Sequence, residues 1–104
     1  DDVVPCFTCN SIIAAMGIRR AVEERGMALG REVSLITHDD DLSYLSNGTD
    51  VPLFTATRSS VRLAGRICAE RVISLVQNPA QPPQNRLLEA ELTVGRSTGP
   101  VPAA

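Results

Sequence analysis

The sequence has no tryptophan, one tyrosine, two phenylalanines and one histidine among its 104 residues. A chain that is 43% hydrophobic but only 3% aromatic must build its core from Val, Ile, Leu, Ala and Met packed closely, which is ordinary for α/β proteins. Long apolar runs are also missing. None approaches the roughly 20 residues a membrane-spanning helix needs, so the chain reads as soluble and cytoplasmic, with no membrane partner. Ten basic residues spread among twelve acidic ones, for a net charge of -2, leave no polybasic face with which this segment could grip nucleic acid. The chain opens on Asp1 and runs directly into an apolar strand pattern, so it is expected to be a piece of a longer protein, about one small domain in size. Three cysteines, an odd number, point to reduced thiols. In Cys6-Phe7-Thr8-Cys9 the two thiols fall on opposite faces of a strand, and no second Cys/His pair completes a tetrahedral site. Both are expected to be buried and inert.

What is present centres on Val33-Ser34-Leu35-Ile36-Thr37-His38-Asp39-Asp40-Asp41. A short β-branched and aliphatic run, read as a buried strand, ends in one imidazole and three carboxylates. Ligands collect beyond the carboxyl ends of parallel strands, so this edge is the first candidate for a binding site. Asp39 is placed to accept hydrogen bonds from a ligand, while Asp40 reads as a cap for the turn that follows.

Around it the signals alternate. Val3 to Cys9 reads as a strand, and Asn10-Ser11 caps a helix over Ile12 to Gly26. Ala14, Ala15, Ile18, Ala21 and Val22 form a stripe that should lie on the sheet. Ile12, Ile13 and Met16 add apolar surface beyond that stripe. They either plug the end of the same core or contact a second subunit. Val33 to Thr37 follows as a strand, giving a βαβ unit with a right-handed crossover. Leu42 to Leu45 reads as one helical turn and Ser46 to Asp50 as a loop, in which Asn47-Gly48-Thr49 matches a glycosylation sequon. Leu53 to Thr57 is a third strand. Ser59-Ser60 caps a helix to Gln77, with Val61, Ala64, Cys68, Val72, Leu75 and Val76 on its buried face. Asn78 to Asn85 reads as a linker, Leu87 to Val94 as a last strand, and Arg96 to Ala104 as a trailing tail.

Enzymatic readings fail on partners. A metal centre of His38, Asp39 and Asp41 has alternating side-chain directions and no distant ligand to close the shell. Ser59, Ser60 and the cysteines have no base other than His38 and no nucleophile-elbow pattern. No cofactor is expected, and no enzyme.

The order Cys9-Asn10-Ser11, Ala15-Met16-Gly17, Arg20-Ala21, Gly26, Arg31 to Ile36, Asp39-Asp40, then Leu53 to Thr57, Val61 to Arg66, Leu87 to Leu92 and Arg96 to Pro100, resembles the effector-binding region of lactose-repressor (LacI/GalR) transcription regulators. The likeness covers nearly the whole chain. It implies a Rossmann-like parallel sheet fragment of a type I periplasmic-binding-protein-like module: residues 1–57 in the C-terminal subdomain, 58–94 as the last helix and strand of the other subdomain, and 95–104 as a tail. It also implies a DNA-binding headpiece outside this chain, a homodimer or higher oligomer through Ile12, Ile13 and Met16, and a small effector, carbohydrate or polyol. Counting back from Gly17 puts Ser11 at the family's polar corner, with Asn10 one step earlier. Asp39 falls on the first carboxylate of the family's paired acid, with Asp40 beside it. Thr37 and His38 stand where relatives carry Gly and an aromatic, and the Asp41 to Pro52 loop is longer. A periplasmic-type sugar-binding fragment, or an assembly-only module with a vestigial cleft, are the alternatives.

Overall fold

The computed structural model describes residues 5–41 and 45–101. The turn expected at Leu42 to Leu45 therefore falls mostly outside the described residues. Elements run β1 (Cys6–Cys9), α1 (Ile12–Glu24), β2 (Ser34–Asp39), β3 (Thr55–Arg58), α2 (Val61–Gln77) and β4 (Glu91–Thr93). The strands form one sheet in the order β1-β2-β3-β4, the first three parallel and β4 antiparallel to β3. The expected α/β class and the βαβ unit are both present.

Both helices start at serine caps. Ser11 Oγ accepts from Ala14 N–H at 3.1 Å, and Ser60 Oγ accepts from Leu63 N–H at 3.1 Å. Each satisfies a first-turn donor that the helix itself cannot. The phase of α1 differs from the expected stripe: Ile12, Ala15 and Val22 are its buried residues, whereas Ala14 is exposed. Ile12 joins Ala15, Leu35 and Phe54 in the core, with Met16 and Ile18 packed at its margin. Burying a whole isoleucine stabilises more than burying the single methyl of Ala14, so the helix turns Ile12 inward.

The cysteines also depart from expectation. Cys6 is exposed because β1 is an edge strand, and Cys9 is only half-buried. The Cys9 thiol donates to Thr37 Oγ1 at 3.2 Å.

The segment expected to trail is part of the interior. Ser97 is 1% exposed. Leu35 N–H donates to Ser97 O at 2.9 Å, Thr55 N–H donates to Ser97 Oγ at 2.8 Å, and Ser97 Oγ donates to Leu35 O. Residues 96–98 thereby serve the backbone groups of β2 and β3 at the end of the sheet opposite the acidic edge. Their seat requires glycine on both sides: a Cβ on Gly99 would lie 2.0 Å from Gly30 O, and Gly30 itself has φ +86. β4 is correspondingly shorter than the expected Leu87 to Val94, and Leu87 is 98% exposed.

No residue of α2 is buried. The face expected to be covered instead has Val72 at 59% and Val76 at 76% exposure, and Cys68 is exposed. Among the described residues no layer lies across from it. The helix is tied to the chain that follows: Arg71 donates to Gln81 Oε1 and, at 2.7 Å, to Pro82 O, and Gln81 Nε2 donates to Ser74 O at 3.0 Å. The radius of gyration, 18.6 Å, exceeds the roughly 13 Å of a compact domain this size. An amphipathic stripe states that a face should be covered, but not by what.

Candidate functional site

The register Cys9↔Thr37 and Thr37↔Ala56 aligns the carboxyl ends of the three parallel strands. Asn10 and Ser11, Asp39 and Asp40, and Arg58 and Ser59 therefore leave the sheet along one edge. A cavity of about 260 Å³ opens there, lined by Asp39, Asp41, Ala56, Arg58 and Thr93 from the sheet side and by Ser46 to Thr49 from the loop.

The loop is held in place by Asn47, whose Nδ2 donates to Phe54 O at 2.9 Å and whose Oδ1 accepts from Phe54 N–H at 2.8 Å. The amide nitrogen of the sequon is thus a structural bond. On the other wall, Asp39 Oδ1 accepts from Asp41 N–H at 3.0 Å, and Asp41 sits in the left-handed region at φ 61. Asp tolerates that region better than most residues because its short side chain bonds locally. Arg58 Nη2 donates to Asp41 Oδ1 at 2.6 Å. This bond, with the Asp41 charge, raises the Arg58 pKa above the ordinary arginine value. The wall thus carries two carboxylate side chains held by one main-chain bond and one guanidinium, and these acceptors suit ligand hydroxyls.

Of the four ligand-binding candidates, Asp39 alone lines the cavity. Ser11 uses its hydroxyl on the α1 cap. Asn10 is exposed at the same edge, and Asp40 is half-buried beside it; neither lines the cavity. Among the subunit-contact candidates, Ile12 is 3% exposed and belongs to the core, Met16 packs against that core, and Ile13 is 61% exposed.

His38 does not line the cavity with Asp39 and Asp41. Its Nδ1 lies 2.8 Å from Thr57 Oγ1 and its Nε2 3.1 Å from Ser59 Oγ. A neutral imidazole donates to one hydroxyl and accepts from the other. Ser59 does meet the one available base, but the far side of the ring holds a hydroxyl rather than a carboxylate, and Ser59 N–H is taken by Asp39 O at 3.2 Å. The pair stitches β2 to the β3–α2 junction. Among the described residues no three His, Cys, Asp or Glu side chains gather as metal ligands.

Arg58, Asn47 and Thr93 escaped the sequence reading as site residues. Arg58 ends the Thr55-Ala56-Thr57 strand pattern as Asp39 ends β2, and opposite charges at two neighbouring strand ends were the available signal.

A periplasmic binding protein-like domain model matches residues 4–98. The chain belongs to that family. It is also 45% identical over 95 residues to the HTH-type transcriptional regulator AglR of Rhizobium meliloti (strain 1021), an alignment covering 90% of this chain and 26% of the relative. The chain thus spans about a quarter of that regulator's length. No solved structure matches it significantly. Family and relative together sustain the likeness to the effector-binding region of LacI-type transcription regulators. The relative is a transcriptional regulator by name, and no helix among the described residues is long and apolar enough to cross a membrane.

Proposed function

We propose that this chain is part of the effector-sensing module of a transcription regulator, and that the cavity at the carboxyl ends of β2 and β3 takes a small hydroxyl-rich ligand, a carbohydrate or polyol. The observation that carries the reading is the place of Asp39: a carboxylate at the end of a central parallel strand, lining a cavity at the switch from strand to loop. Asp39 accepts from ligand hydroxyls, and Asp41 and Thr93 complete the polar wall. DNA is contacted by a headpiece outside this chain. Residues up to about 57 form one subdomain whose sheet β4 joins by pairing with β3, while α2 packs on another subdomain, which accounts for its bare face.

Thermal denaturation of the full-length regulator against a panel of mono- and disaccharides and polyols tests this. A ligand at 100 times its Kd stabilises by about 2.7 kcal/mol, so a true effector raises the melting temperature measurably. A second reading, an assembly-only module, is favoured by the apolar surface of Ile13 and α2. A panel that leaves the melting temperature unmoved while the protein stays oligomeric supports that reading instead.

A further inference from the structure

Arg58 is the only cation among the described residues that line the cavity, and a lone arginine in a pocket is ordinarily read as a receptor for a carboxylate or phosphate. Its surroundings argue otherwise. Its guanidinium already donates to Asp41 at 2.6 Å. The strand register places Asp39 beside it on β2 and Glu91 beside it on β4, since Asp39↔Arg58 and Arg58↔Glu91 are direct partners. Partners across a sheet project to the same face. The guanidinium thus has carboxylates on both strand neighbours and a third from the loop, three negative charges around one positive. All three act favourably on the charged guanidinium.

We propose that Arg58 is a positioning residue that fixes Asp41 as a cavity wall, and that the resulting excess of negative charge makes the site select neutral or amine-bearing hydroxylated ligands and reject acidic ones such as uronates and sugar phosphates. This rests on the sugar-like effector reading above and names its charge class. An acidic ligand would have to displace Asp41 from Arg58 and then lie against Asp39 and Asp41, with the Glu91 charge behind them as the strand neighbour of Arg58. A neutral sugar keeps the pair intact and uses the carboxylates as acceptors. Rejection of this kind needs no clash, because like charges a few ångströms apart suffice.

Calorimetric titration of the full-length protein with a matched series tests it: galactose, galactosamine, galacturonate and galactose 6-phosphate, with the corresponding glucose set. The wild type is expected to favour the neutral or amino member over its acidic counterparts by roughly tenfold or more at low salt. The preference should shrink as salt screens it. Asp41→Asn and Glu91→Gln each remove one negative charge and should narrow the gap while the proteins keep their melting temperatures. Should either variant fail to fold, the wild-type preference and its salt dependence still decide. Acidic members binding as tightly as neutral ones overturn the proposal and leave the sugar reading standing. A gap insensitive to salt and to both variants also overturns it. If no member binds to any of the proteins, the sugar reading falls, and this inference with it.

Discussion

Asn47 is bonded to Phe54 as one strand is to another: its side-chain amide donates to Phe54 O at 2.9 Å and accepts from Phe54 N–H at 2.8 Å. Phe54 has no exposed surface, so neither backbone group has water as a substitute. Asn47→Ala should destabilise by about 2–4 kcal/mol, two unsatisfied buried groups at roughly 1–3 kcal/mol each less relaxation. Urea unfolding of the two proteins measures it, and a change under about 0.5 kcal/mol would show the clamp to be replaceable. Asn47→Asp keeps the acceptor but sets a carboxylate oxygen against Phe54 O, and should be no milder than Asn47→Ala.

Ser97 links residues that lie 62 and 42 positions away, Leu35 and Thr55. Ser97→Ala leaves a buried carbonyl and a buried amide without that partner and should cost about 1–3 kcal/mol. Gly30→Ala is expected to be worse, because Gly30 is at φ +86 and its new Cβ would sit 2.1 Å from Arg96 O. Thermal melts showing Gly30→Ala milder than Ser97→Ala would mean the segment at 96–98 shifts easily aside.

Glu32 caps the turn after α1, its carboxylate accepting from Ala28 N–H at 2.9 Å. That bond, followed by the bond from its own backbone N–H, holds the Glu32 pKa below the ordinary glutamate value. A carboxyl depressed in the folded state contributes its stability above the unfolded-state pKa and loses it as pH falls through the lower folded value. NMR titration should find Glu32 titrating below the ordinary glutamate value, and Glu32→Gln should flatten the acid limb of the stability curve slightly. An ordinary Glu32 titration would remove the cap.

The bare face of α2 has a consequence for the isolated 104-residue chain. With Val72 59%, Ile73 58% and Val76 76% exposed, the isolated chain should self-associate at micromolar concentration. Val72→Glu with Val76→Glu should move it toward monomer. Sedimentation of a stable wild-type monomer would contradict the expectation. Amide exchange should be faster along α2 than along β2, whose Leu35 and Thr37 are buried.

What the sequence disclosed was local. The Ser11 and Ser60 caps, the βαβ order and the strand ending at Asp39 follow from residues close together in the chain, whose periodicity and capping are visible without the fold. The rest depends on pairings across long separations. Ser97 looks like tail until its contact with Leu35 is known, and the inward turn of Ile12 depends on Phe54, which lies far along the chain. The site divides in the same way. Asp39 was legible from its strand end, but Arg58 becomes part of the wall only through the register of β2, β3 and β4, which no local pattern states. Ser11 stands between β1 and α1, and its hydroxyl serves the helix.

The central claim is that the Asp39 carboxylate meets the effector, and calorimetric titration of the full-length regulator and its Asp39→Ala variant tests it most directly. Charge-assisted hydrogen bonds contribute about 1.5–3 kcal/mol each, so an effector bound by the wild type should bind Asp39→Ala roughly ten- to a hundredfold more weakly, with the fold intact by circular dichroism. Equal affinities in the two folded proteins would contradict the account.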